Sequence, residues 1–199
     1  MAEPPNMRSR MVDAAIEMIE SGGESSVRLA EVATRVGVSQ PAVYHHFENR
    51  SQLVTAAYVA WYERNLLTET PPVAMMSTVR TREEFIQACK SALEWSLVPE
   101  RIRARSIRVA VLGAAQTNPE LRDAINNINI RFLTPVADNM RTAQENGWIR
   151  SDFDPMAIAF WLNGQITGRL VAEMTDGHVD MEAWNAVSVD VLMAFLSSR

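Results

Sequence analysis

The chain has 199 residues, 47% of them apolar, and a formal net charge of −5. That balance excludes a disordered polymer and leaves enough material for a sizeable core. No apolar run approaches the ~20 residues of a membrane helix, the opening MAEPPNMRSR lacks a signal-peptide centre, and a lone cysteine, Cys89, excludes an intrachain disulfide, so a cytoplasmic protein is expected.

Met11, Val12, Ala15, Ile16 and Ile19 recur at helical spacing and predict a first helix, stopped by Ser21-Gly22-Gly23. Leu29, Val32, Ala33 and Val36 give a second helix its single apolar stripe. Gly37 follows, at the position where a helix C-terminus favours positive φ. Ser39 offers an N-cap oxygen to a third helix, and Pro41 falls in its first turn, where a missing N–H costs little. Val43 and Phe47, four apart, face one way and leave Gln40, Ala42, Tyr44, His45 and His46 outside. A helix, a short turn and a helix with a polar, aromatic outer face make the helix-turn-helix pattern. Asn49 with Gln52 predicts a capped start for a fourth helix through Leu53, Val54, Ala57, Tyr58, Trp61 and Tyr62.

The exposed residue types suit DNA. A glutamine amide matches the N6/N7 edge of adenine, and proline and alanine offer apolar surface to a thymine methyl. A tyrosine hydroxyl and an arginine fork suit phosphates, which set register without reading sequence. Plainer readings stand beside these: Tyr44 packed on the first helix, and His45 and His46 merely solvated. Residues 1–70 carry six arginines and no lysine against nine acids, a net of −3, so only modest nonspecific DNA affinity is expected. Arg8, Arg10, Arg28 and Arg50 border the proposed DNA face, whereas Glu17, Glu20 and Glu63 lie on helices leading away from it.

Gly37-Val38-Ser39, Gln40-Pro41, Tyr44-His45-His46-Phe47 and Arg50 together resemble the DNA-binding domain of TetR-family regulators over roughly residues 8–64. The resemblance implies base contacts from Gln40, Pro41 and Ala42, and backbone or mixed contacts from Tyr44, His46 and Arg50. Arg28, Ser39 and His45 complete the DNA-binding candidates. Three departures bar any transfer of operator sequence. His45 stands where the founding repressor has tryptophan, Arg50 replaces the usual lysine, and Ala30 occupies the place of a base-reading arginine, the arginine of the second helix being Arg28.

Thr68 to Val79, with Pro71-Pro72, reads as a linker and divides a DNA-binding domain at 6–65, its motif at about 28–47, from a C-terminal domain at 66–199. Thr81-Arg82-Glu83-Glu84 is a capping box opening a helix through Phe85, Ile86, Cys89, Leu93 and Leu97. Pro99-Glu100 begins another. Asn118-Pro119 starts a long helix that Pro135 should kink and Gly147 stops. Asp154-Pro155 starts the eighth helix, Asp176-Gly177 turns the chain, and Asp180 caps the last through Trp184, Val187, Val191 and Phe195. With no alternating strand and no repeat, the fold expected is all-α, with about nine helices.

Trp61, Trp95, Met75, Met76, Phe160 and Trp161 are candidates to line an apolar ligand cavity, or are ordinary core. Asn163, Gln165 and Arg169 interrupt the apolar eighth helix and either orient a ligand or bond across a subunit contact. Arg101, Arg103, Arg105 and Arg108 fall on more than one face and are expected to be a solvated surface. Leu162, Ile166 and Leu170, with Trp184, Val187, Val191 and Phe195, exceed one inward stripe and suggest a two-fold homodimer. Gly164 and Gly168 would let another helix approach closely.

The reading that follows is a DNA-binding regulator, a repressor in the pattern of the family it resembles, released from a palindromic operator by a small-molecule effector. No cofactor, metal or membrane partner is expected. An enzyme is the rival, but three histidines (two of them in the third helix), one cysteine and no Gly-rich phosphate loop leave it few catalytic parts. A protein-interaction module is the other alternative.

Overall fold

The computed structural model describes residues 6–67 and 78–197, in which nine α-helices and two short 3-10 turns carry all the regular structure. Of the expected linker, Thr68 to Val79, residues 68–77, with Met75 and Met76, lie outside the described residues. The chain folds into two compact units, 1–64 with 114–125, and 65–113 with 126–199.

In the first unit, α1 (Met7–Gly22) starts where the Asn6 side chain accepts from the Ser9 amide at 2.8 Å. Its stripe of Met11, Val12, Ala15, Ile16 and Ile19 is buried. A 3-10 turn, Glu24–Ser26, leads to α2 (Leu29–Val36), which begins one residue later than Arg28, its N-cap. Gly37 is left-handed, φ 79°, and its amide donates to the Ala33 carbonyl at 3.0 Å. A side chain there would be strained, which is why glycine ends this helix. Then α3 (Gln40–His46) and α4 (Arg50–Leu67) complete the module. Ser39 takes the extended N-cap conformation but makes no side-chain capping bond, contrary to expectation. Asn49 does cap α4, accepting from the Gln52 amide at 2.9 Å, while the Gln52 side chain reaches back one residue further, to the Glu48 amide. Burying Val43 and Phe47 under α3 contributes roughly 1.5–3 kcal/mol each. Leu121 and Ile125 are also buried, and Asn118 Nδ2 donates to Thr55 Oγ1 at 3.0 Å.

The second unit holds α5 (Arg82–Leu97), most of α6 (Ile102–Ala115) and of α7 (Pro119–Glu145), with α8 (Pro155–Glu173) and α9 (Met181–Ser197). The Thr81–Glu84 capping box forms in full. α7 continues through Pro135 as a single element. Phe85, Cys89, Leu93 and Leu97 of α5 pack on Met140 and Ala143 of α7, Ile158 of α8, and Leu192 and Leu196 of α9.

Within this apolar interior sits an ionic network. Arg105, 0% exposed, donates through Nε to Glu173 Oε2 at 3.0 Å and through Nη1 to the Ser96 carbonyl at 2.9 Å. Its Nη2 donates to the Val98 carbonyl at 3.2 Å and to Glu173 Oε1. Arg169 Nε donates to the same Oε1 at 2.8 Å, and its Nη1 to Asn185. Arg108, also buried, donates to Asn163 Oδ1 at 2.8 Å. The expectation of a solvated arginine face is therefore wrong at Arg105 and Arg108. Glu173 lies 68 residues from Arg105, and no local pattern announces it.

Candidate nucleic-acid interface and helical-unit cavities

α3 presents the residues that its period turns away from Val43 and Phe47. Ser39, Gln40, Pro41, Tyr44 and His45 are exposed, Ala42 and His46 half-buried. Tyr44, at 49% exposure, does not pack into α1. His45 and His46 meet edge to face, with ring centroids 5.3 Å apart. The helix therefore offers one continuous outer strip: an amide, a proline ring, a phenol and two imidazoles.

The arginines around this strip are mostly held by the fold. Arg8 stacks over the Phe47 ring, 4.9 Å from its centroid, and Arg10 Nη2 donates to the Val36 carbonyl at 2.9 Å, an acceptor at the C-terminus of α2. Arg50 does not stand free toward phosphate as a reading from its position alone implies. Its guanidinium donates to the backbone carbonyls of Val27 and Glu24 and pairs with the Glu24 carboxylate. Arg28 is exposed at the start of α2.

Two cavities lie among the described residues of the second unit. A solvent-open cleft of about 540 Å³ lies between α8 and α9, where Trp161, Gln165, Trp184, Ser188, Val187 and Val191 line it. A second cavity of about 90 Å³ lies among α5, α7, α8 and α9, bordered by Cys89, Ser96, Phe132, Met140, Asn163 and Ile166. Burial pushes the Cys89 thiol up to about 12, so it is an inert apolar group there.

Of the side chains expected to meet a ligand, Trp161 and Gln165 reach the cleft and Asn163 the smaller cavity. The others do not. Trp61 belongs to the first unit and donates its indole N–H to Glu20 at 2.9 Å. Trp95 lies under Arg101, whose guanidinium is 4.3 Å from a ring centroid, Phe160 is exposed, and Arg169 is spent on Glu173 and Asn185. Of the side chains expected at a dimer contact, Leu162 and Trp184 pack onto the core, Leu170 is buried, and Ile166 borders the small cavity. Phe195 lies 5.8 Å from Trp161, ring to ring. Val187 and Val191 do face solvent, at 62% and 48%, joined by Val171 and Met174, which sequence spacing had not singled out.

Residues 11–57 match the model of bacterial regulatory proteins of the tetR family. The HTH-type transcriptional regulator SrpR of Pseudomonas putida is 31% identical over 169 residues, which span 85% of this chain and 76% of that protein. The chain belongs to the TetR family. The HTH-type transcriptional regulator UidR of Escherichia coli K12 is 27% identical over 177 residues, 88% of this chain and 82% of that one. The transcriptional regulator FadR from Bacillus subtilis, solved in complex with stearoyl-CoA, shares the fold, with a TM-score of 0.64 at 19% identity over 94% of this chain and 97% of the other.

As a TetR-family member this chain is a helix-turn-helix transcriptional regulator with an all-helical, two-domain fold. No helix among the described residues is long and apolar enough to cross a membrane. Sequence reasoning missed the bonds that hold Arg10 and Arg50, because their partners are backbone carbonyls 26 and 23 residues away.

Proposed function

We propose that this regulator is a dimeric repressor that leaves a palindromic operator when a mostly apolar small molecule occupies its second unit. The observation that carries the DNA reading is the outer strip of α3, exposed over a buried Val43 and Phe47. The DNA-reading domain is 6–65, its motif about 28–47, and 66–199 serves effector binding and dimerisation. Gln40, Pro41 and Ala42 read base edges. Tyr44, His46, Arg50 and Arg28 contact backbone, with Ser39 and His45 at the margins. One such helix reads only a few base pairs, so specificity needs two, about 34–36 Å or a multiple apart. The exposed Val171, Met174, Val187 and Val191 give the face for a two-fold contact, with Gly164 and Gly168 open to close approach.

The cleft of about 540 Å³ is the effector seat, since small-molecule sites span ~300–1,000 Å³ and the smaller cavity falls below that. Trp161 and Trp184 supply apolar and aromatic surface, and Gln165 and Ser188 orient a polar group. Val187 and Val191 belong both to this cleft and to the dimer face, so an occupant alters the surface that two subunits share. The fold neighbour that holds stearoyl-CoA supports a ligand-responsive domain of this architecture. An effector acts only through different affinities for the operator-bound and released states. A regulator of this kind works on chromosomal DNA in the cytoplasm. Mobility shift with DNA upstream of the regulator's own gene tests the reading. A discrete complex that Gln40→Ala weakens is expected; equal affinity for that DNA and for random duplex, unaltered by the substitution, overturns it.

A further inference from the structure

Two backbone carbonyls and one carboxylate converge on Arg50. Nε donates to the Val27 carbonyl at 2.9 Å, Nη2 donates to the Glu24 carbonyl, and Nη1 lies 3.5 Å from Glu24 Oε1. The other carboxylate oxygen of Glu24 accepts from the Tyr58 hydroxyl at 3.4 Å. Glu24 belongs to the 3-10 turn before α2, Arg50 opens α4, and Tyr58 follows about two turns further along α4. The side chains of Arg50 and Glu24 are 41% and 47% exposed, so solvent, and a phosphate, can reach both.

The two kinds of acceptor differ in what they leave behind. Carbonyls fix the direction of the guanidinium and leave its charge intact. The carboxylate opposes that charge, and its field falls on the same phosphate that the charge would attract. We propose that Glu24 governs the phosphate contact of Arg50: the carboxylate and a DNA phosphate compete for one guanidinium that the two carbonyls hold in place. Glu24 is thus a positioning residue acting on DNA through Arg50. Tyr58 brings α4 into the arrangement, because it binds the carboxylate oxygen that Arg50 does not face. A shift of α4 against the 3-10 turn changes how much charge the reading head presents. The inference rests on the DNA-binding reading of α3.

Full-length wild type, Glu24→Gln, Arg50→Ala and the double variant are titrated with random-sequence duplex DNA by fluorescence anisotropy across a series of salt concentrations. Glutamine keeps an acceptor and removes the charge. Glu24→Gln should bind several-fold more tightly at moderate salt. Its slope of log K against log salt should steepen by ~0.9, the value of one additional neutralised phosphate. In the Arg50→Ala background the same change should leave the slope where it was. Removing an acid near DNA raises affinity in a general way, so an equal gain in both backgrounds overturns the proposal, as does no gain in either. Glu24→Ala, which keeps the carbonyl that Arg50 uses, is the second variant and should reproduce the slope change; failure to do so counts against the carboxylate. A wild type that binds no duplex at all overturns the DNA reading itself.

Discussion

The two units use arginine in opposite ways. In the first, Arg8 lies over a ring, Arg10 and Arg50 bond to loop or helix-end carbonyls, and Arg28 is exposed. In the second, Arg105 and Arg169 share the one carboxylate of Glu173 among apolar side chains. A guanidinium at the surface keeps water as an alternative partner and can be lent to a phosphate at little cost. A buried one has no alternative and must be bonded permanently. Arg28 therefore keeps its charge at the surface of the first unit, while Arg105 and Arg169 hold theirs in the interior of the second.

The sharpest way to break that contrast is to remove the acid on each side. Glu173→Ala strands two cations in the interior and should cost about 3–5 kcal/mol, seen as a large fall in the urea midpoint. Glu24→Ala removes a half-exposed carboxylate whose ion pair is screened by solvent. Its loss should stay within about 1 kcal/mol. Similar losses in the two variants would mean that burial does not separate the two uses of arginine.

The same contrast marks what was legible beforehand. Helical periodicity placed the buried stripes of α1 to α4, because local spacing determines which face meets the core. Gly37 was legible from its place after a four-residue stripe, and it does take positive φ. The outer strip of α3 was legible as the remainder of that stripe. The arginine network was not, since Arg105 meets Glu173 across 68 residues and only tertiary packing joins them. Trp61 and Trp95 illustrate the same limit. Composition suggests a cavity lining, whereas Glu20 and Arg101 take them elsewhere. Nor does spacing alone divide α8 and α9, both apolar on most sides, into core-facing and solvent-facing residues. Leu170 turned inward and Val171 outward.

Charging the exposed face of α9 comes next in size. Val187→Arg with Val191→Arg leaves the described core untouched, because both side chains face solvent. If that face joins two subunits, each arginine would have to be desolvated there, at several kcal/mol per ion. Sedimentation should then show a folded monomer with much weaker operator affinity. A dimer that survives the substitution would move the contact to another face, and a wild type that is monomeric at micromolar concentration would remove it.

Within the reading head, Gln40→Ala should cost roughly 1–3 kcal/mol and relax preference at one position of each half-site. Arg28→Ala should instead weaken all sequences alike and reduce the salt slope by about one phosphate. Selection of preferred sites from a randomised library separates the two effects. If Arg28→Ala alters which bases are selected, it reads sequence rather than holding register.

The smallest effect compares neutral groups whose ionisation burial opposes. In the second unit the Cys89 thiol is raised from 9.0 to about 12 by desolvation. In the first, the Tyr58 hydroxyl is raised above 10.0, chiefly by burial and then by the charge of Glu24. In both cases the folded state favours the protonated form. Each contribution is fully present below the unfolded value and is lost as pH rises toward the folded one. Near pH 7 both groups are protonated in the folded and the unfolded chain, so neither makes stability depend on pH there. Above about pH 9 the thiol begins to act, by at most about 1.4 kcal/mol per pH unit, and the phenol follows only above about pH 10. Urea midpoints of wild type and Cys89→Ala between pH 7 and 10.5 should run parallel at first and converge above pH 9, because alanine has no proton to lose. Alkylation gives an independent check, since native Cys89 should resist iodoacetamide at pH 8 and react once urea unfolds the chain. Rapid labelling of the native protein, with midpoints that never converge, would show that the thiol reaches solvent and that burial does not govern it.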